Sequence, residues 1–143
     1  MFIGEFNYSI DDKGRVSLPA KFRVNLKGGA VVTRGLDNCL FVYPKTEWTK
    51  WAQKISTLPI SQANSRAFSR LMLGGAMDVK TDKLGRIMIP EYLREYANLG
   101  KKVVIAGLYN RIEVWAEDKW NKFKADTEKA SNSIAEKMGE MGI

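Results

Sequence analysis

The stretch Asp11-Asp12-Lys13-Gly14-Arg15-Val16-Ser17-Leu18-Pro19 returns 71 positions later as Asp82-Lys83-Leu84-Gly85-Arg86-Ile87-Met88-Ile89-Pro90. Asp, Gly, Arg and Pro recur in place, and aliphatic residues alternate between the Arg and the Pro. The match extends outward in both directions. Phe2-x-Gly4 lies opposite Leu73-x-Gly75, and Phe22-Arg23 opposite Leu93-Arg94. Further on the offset becomes 72, so that Gly28 meets Gly100 and Val31-Val32 meets Val103-Val104. Gly35-Leu36-x-Asn38-x-Leu40-x-Val42-Tyr43 then meets Gly107-Leu108-x-Asn110-x-Ile112-x-Val114-Trp115, and Trp48-x-x-Trp51 meets Trp120-x-x-Phe123. Ordered self-similarity at half the chain length is the mark of a duplicated supersecondary unit.

Each copy reads as strand, tight turn, strand, short helix, strand, turn, strand, helix. Gly14 and Gly85 supply the positive φ that a tight hairpin needs. Val16 and Leu18, like Ile87 and Ile89, alternate at strand period. Pro19 and Pro90 close these strands and suit the first turn of a helix. In the second copy Leu93, Tyr96 and Ala97 mark that helix, and Gly100 is expected to stop it. Trp48, Trp51, Ala52 and Ile55 form an apolar stripe that reads as core packing rather than as base-stacking platforms. Ser61 is expected to cap a connecting helix reaching about Met72, with Ala63, Ala67 and Leu71 on its packed side. From Trp120 onward, Phe123, Thr127, Ala130, Ile134, Met138 and Met141 make one thin seam, as on a surface helix. The expected division is a first repeat over 1–56, a connecting helix over 57–72, a second repeat over 73–124 and a helical tail over 125–143.

The 143 residues carry 23 Lys and Arg against 16 Asp and Glu, a net charge of +7, with 45% hydrophobic residues. That hydrophobic content is enough for a core and argues against disorder. No stretch is long and apolar enough to span a bilayer, and Met1-Phe2-Ile3-Gly4-Glu5 lacks the basic and apolar pattern of a secretory signal. Cys39 is the single cysteine, which excludes an internal disulfide, and its flanks read as a buried strand. Histidine is absent, which removes most zinc sites, the commonest general base and the usual catalytic triads. The basic balance suits a polyanionic partner. It is concentrated in residues 1–71, with 11 basic against 5 acidic residues, whereas residues 72–143 hold 12 against 11.

The repeated Asp-x-x-x-Arg has a chemical purpose. Arginine offers a rigid fork of donors on a flexible stem. A carboxylate across a glycine turn can hold that fork outward, where it can meet the O6 and N7 acceptors of guanine in a bidentate pair. Fixing the arginine beforehand reduces the entropy lost on binding. A neighbouring lysine can contact phosphate and position the turn without reading sequence. A single such motif could equally be a cross-strand ion pair that closes a hairpin. Two copies in matched settings carry more weight.

On these residues, and on Asn110-Arg111-Ile112-Glu113-Val114-Trp115 further along, the chain resembles the MraZ family within the swapped-hairpin fold of AbrB-like transcription factors. The resemblance covers nearly the whole chain. It implies an α+β fold, a tandem duplicated swapped-hairpin AbrB-like barrel with flanking helices, in which each copy supplies half of a small barrel. It implies DNA-reading roles for Arg15 and Arg86, orienting roles for Asp11 and Asp82, turn roles for Gly14 and Gly85, and phosphate contacts for Lys13 and Lys83. It further implies a cytoplasmic, nucleoid-associated regulator that forms rings of several subunits. The expected partner is double-stranded DNA with short G-containing direct repeats, in the promoter of a cell division and cell wall gene cluster. No cofactor, metal, membrane or small-molecule substrate is implied. Leu84 stands where the first copy has Lys13, so the first copy is expected to dominate affinity.

Three other readings compete. A ring-forming scaffold for protein interactions would make the basic first half incidental, and would lack the salt dependence of phosphate contacts. An enzyme would have to use Asp11, Asp12 or Asp82, but no phosphate-binding glycine loop or metal-ligand spacing accompanies them. An antitoxin-type regulator of the same fold would need a toxin-binding tail, for which the stretch after Lys124 offers only the thin seam.

Overall fold

The computed structural model describes residues 1–143. Its strands are β1 (Phe2–Ser9), β2 (Arg15–Ser17), β3 (Ala30–Arg34), β4 (Leu40–Pro44), β5 (Met77–Val79), β6 (Arg86–Met88), β7 (Lys102–Tyr109) and β8 (Ile112–Ala116). Its helices are α1 (Ala20–Arg23), α2 (Lys45–Ser56), α3 (Ala63–Met72), α4 (Glu91–Tyr96), α5 (Glu117–Lys129) and α6 (Ser131–Glu140). Six strands form one sheet in the order β1-β7-β8-β4-β3-β5, and β2 pairs with β6 as a separate ribbon. Every pairing is antiparallel.

The α+β class and the duplication are both realised, and the strands are exchanged between copies. β1 of the first copy pairs along its whole length with β7 of the second, from Phe2 opposite Tyr109 to Ser9 opposite Lys102. Conversely β5, at the start of the second copy, pairs with β3 of the first. The hairpins β3–β4 and β7–β8 meet through β4 and β8, so a pseudo-two-fold axis passes between them. The turn in β3–β4 puts Asp37 and Asn38 at positive φ, 62° and 59°. Short polar side chains tolerate that region, and two such residues in a row give the turn twist that hairpins favour.

The central strands are buried on both faces. One face packs against the ribbon and the short helices, in a core that holds Val16, Leu18, Phe22, Val32, Ile87, Ile89, Leu93, Ile105 and Val114. The other face carries Cys39, Phe41, Tyr43, Val104 and Trp115, covered by Ile55, Met72, Trp48 and Trp51. The Trp stripe of α2 is therefore packing, as its spacing implies. Trp51 meets Phe68 edge-on at 6.2 Å between ring centres, which ties α2 to α3.

Four local expectations are corrected. α3 is preceded by Gln62 rather than capped by Ser61, and no side chain caps it. Its covered positions are Ser65, Phe68, Ser69, Leu71 and Met72, so of the three expected there Leu71 is half-buried whereas Ala63 and Ala67 are exposed. Phe68 and Met72 bury far more apolar surface than alanine methyls, so they set the rotation of the helix. The helix α4 ends before Asn98, whose φ is 53°, so asparagine rather than Gly100 provides the left-handed exit. The tail is two helices broken at Ala130, not one seam, and α6 is almost wholly exposed. No helix is long and apolar enough to cross a membrane.

Candidate nucleic-acid interface

In the ribbon, Val16 stands opposite Ile87, with Arg15 opposite Met88 and Ser17 opposite Arg86. Side chains alternate across a strand, so Val16 and Ile87 point one way and the other four residues point the other. Val16 and Ile87 are both 0% exposed and seal the core. Burial of that single apolar pair therefore dictates that Arg15 and Arg86 share the outer face. A slip of one residue would exchange the two faces, so the core also sets the register.

Each arginine is then held by its own loop. Asp11 Oδ1 accepts hydrogen bonds from the backbone N–H of Lys13, at 3.0 Å, and of Arg15, at 2.8 Å. Asp11 Oδ2 accepts from Arg15 Nε at 2.6 Å. The second copy repeats this arrangement. Asp82 Oδ1 accepts from the N–H of Leu84 and of Arg86, both at 2.9 Å, and Asp82 Oδ2 from Arg86 Nε at 2.8 Å. Gly14 N and Gly85 N donate to the carbonyls of Asp11 and Asp82, closing each loop at a glycine with φ of 82° or 73°. One carboxylate thus orders both the turn backbone and the arginine stem. Because Nε is the engaged atom, the outer edge of each guanidinium keeps its Nη donors for a partner.

The two loops meet. Arg86 Nη1 lies 3.9 Å from Asp11 Oδ2, so the first copy's carboxylate faces both arginines. The four side chains are 25% to 37% exposed, partly covered yet open to a partner. Hydrogen bonds from the Arg15 backbone N–H, followed by those from the Arg15 side chain and the Lys13 N–H, pull the Asp11 carboxyl below the usual aspartate range. The Arg86 N–H leads the same effect at Asp82. Both aspartates are therefore charged wherever the protein is folded near neutral pH.

Lys13 and Lys83 are both exposed, but they occupy different loop positions. Lys13 is the residue whose N–H binds the Asp11 carboxylate, whereas the equivalent residue in the second loop is Leu84, 66% exposed. Ser17 and Met88 share the outer face with the arginines and were not singled out by motif. Only the pairing of β2 with β6, between residues 69 to 73 apart, brings them there.

Away from the loops, one ionisable cluster is built into the packing. Glu113 is only 7% exposed and accepts from Arg111 Nε and Nη2, at 3.2 and 3.0 Å, and from Trp115 Nε1 at 2.9 Å. The Arg111 guanidinium lies 4.8 Å from the centre of the Phe41 ring. A cleft of about 400 Å³ lies on this helix-covered face, bordered by Phe41, Trp51, Phe68 and Arg111, and contains neither loop aspartate.

Comparison with known proteins agrees with the doubled loops. The family model for the MraZ protein, described as antitoxin-like, matches residues 1–71 and again residues 72–140. Among curated relatives, the Transcriptional regulator MraZ of Natranaerobius thermophilus is 49% identical over 143 residues and covers both chains completely. That of Halothermothrix orenii is also 49% identical with complete coverage. That of Desulforamulus reducens is 45% identical over 141 residues, 99% of each chain.

Proposed function

The chain belongs to the MraZ family, whose curated members are named transcriptional regulators, and we propose that it reads guanines in short direct repeats of duplex DNA with Arg15 and Arg86. The observation that carries this reading is the pair of carboxylate-held guanidinium groups on one face of the β2–β6 ribbon. A two-stranded ribbon fits the major groove of B-form DNA, where each base pair displays a distinct donor and acceptor pattern. Asp11 and Asp82 orient the forks, and Gly14 and Gly85 provide the turns. Lys13 and Lys83 neutralise phosphates and position the ribbon.

Leu84 in place of a lysine leaves the second loop with a weaker phosphate contact. Arg15→Ala should therefore cost more affinity than Arg86→Ala. One ribbon touches few bases, so a single chain binds weakly. Assembly of chains head-to-tail into a ring would let successive ribbons engage successive repeats and raise apparent affinity. The target in this reading is the promoter of the cell division and cell wall cluster.

The test is a mobility shift on G-containing direct repeats against a scrambled duplex, at several salt concentrations. The expected result is preference for the repeats and a log–log salt slope of about −0.9 per phosphate neutralised. A flat salt response with equal affinity for both duplexes would instead indicate a protein-interaction scaffold.

A further inference from the structure

Arg23 and Arg94 recur at the same 71-residue offset as the loops, yet neither belongs to the Asp-x-x-x-Arg motif. Both are half-buried. Arg23 Nε donates to the carbonyl of Leu18 at 2.9 Å, and Arg94 Nε donates to that of Ile89 at 3.0 Å. Each is thus anchored to the strand end of its own copy. Their guanidinium groups, however, lie against the turn glycine of the other copy. A Cβ added to Gly85 would overlap Arg23 Nε and Cζ. A Cβ added to Gly14 would stand 2.9 Å from Arg94 Nε and 2.7 Å from the Ile89 carbonyl oxygen. The backbone repeats the crossing, since Leu18 N donates to Gly85 O at 3.2 Å and Ile89 N to Gly14 O at 2.8 Å. Both glycines are buried although the rest of each loop is open to solvent.

We propose that Arg23 and Arg94 are crossed positioning residues: Arg23 sets the second copy's reading loop and Arg94 sets the first copy's. Each guanidinium is a flat plate held at its inner nitrogen, and it fixes how far the opposite turn can settle onto the ribbon. That position in turn sets where the Asp82–Arg86 or Asp11–Arg15 pair faces outward. The role goes beyond the DNA reading of Arg15 and Arg86 but rests on it for its functional consequence. A lysine cannot substitute, because it offers a point charge in place of a planar fork.

The crossing is testable by double-mutant cycles on affinity for G-containing repeat DNA. Arg23→Lys should weaken binding by roughly three- to tenfold in the wild-type background and equally in Arg15→Ala, but add almost nothing in Arg86→Ala. Arg94→Lys should show the mirror pattern. The salt slope should not change, because the charge is kept. Additive losses with both reading arginines, or silence of the lysine variants with loss only in Arg23→Gln, would overturn the proposal in favour of a direct phosphate contact. A second measurement needs no DNA. In amide spectra of the free protein, Arg23→Lys should shift Lys83–Arg86 and leave Lys13–Arg15 in place, and Arg94→Lys should do the reverse. Shifts confined to the mutated copy would refute the crossing whether or not the protein binds DNA. Crossed shifts without DNA affinity would leave the positioning intact and remove the reading role.

Discussion

Replacing Arg15 or Arg86 singly should relax base preference at two different positions with a fixed separation. Arg15 stands opposite Met88, and Arg86 lies two residues from Met88 on the same strand, so the two arginines are diagonal neighbours across the ribbon. Such neighbours are separated by about 7–8 Å, and bases along one strand rise by about 3.4 Å, so the two forks span about two base steps. A bidentate arginine–guanine pair discriminates against a wrong base by about 1–3 kcal/mol, which is about a 5- to 150-fold preference. Selection of bound duplexes from a random pool, with wild type and each alanine variant, reads this directly. The wild type should enrich guanines at two positions roughly two steps apart within each repeat. Arg15→Ala should lose enrichment at one of them and Arg86→Ala at the other. If both variants relaxed the same base, or if the separation were six steps or more, the side-by-side geometry would not be the reading device.

Further outcomes follow from the ribbon and the two cores. Ile87→Ala should destabilise the fold by about 2–5 kcal/mol in denaturant titrations, whereas Met88→Ala on the opposite face should stay within about 0.5 kcal/mol. Equal effects would contradict the assigned faces. Asp11 and Asp82 have lowered folded-state pKa values, so their contribution is present above the ordinary aspartate range and is lost as pH falls through the folded values. Carboxyl-carbon resonances of both should titrate with midpoints below the ordinary aspartate value. A midpoint at or above the ordinary value would mean that the loop hydrogen bonds do not persist in solution. Cys39 is 0% exposed, and burial pushes its thiol pKa upward, with the nearby Glu113 and Asp37 charges adding to the effect. Thiol alkylation should therefore be slow in native protein and fast in denaturant, and equal rates would place Cys39 outside the core.

Much of this architecture is legible from the chain because duplication writes each structural requirement twice. A lone Asp-x-x-x-Arg says little, but Asp11, Gly14 and Arg15 recurring as Asp82, Gly85 and Arg86 mark a loop whose backbone and side chain are constrained together. The alternation of Val16 and Leu18, or Ile87 and Ile89, shows which face is buried, but not that Val16 and Ile87 seal it as a pair. That pairing joins residues 71 apart and belongs to the exchange of strands between copies. Arg23 and Arg94 escaped functional notice for the same reason, since an arginine on a short helix reads locally as solvated and its contact lies in the other copy. Local errors have local causes. Ala63 and Ala67 count as apolar in a periodicity reading, yet Phe68 and Met72 decide the rotation of α3. Gly100 suits a helix stop, but Asn98 reaches the left-handed region first and ends α4 two residues earlier.

The central claim is that DNA specificity resides in two held guanidinium groups, and affinity of the double variant Arg15→Ala/Arg86→Ala tests it most directly. With the fold verified by its amide spectrum, its preference for G-containing repeats over a scrambled duplex should fall to near unity, while salt-sensitive binding to both persists through the remaining cations. Retention of the wild-type preference would contradict the account.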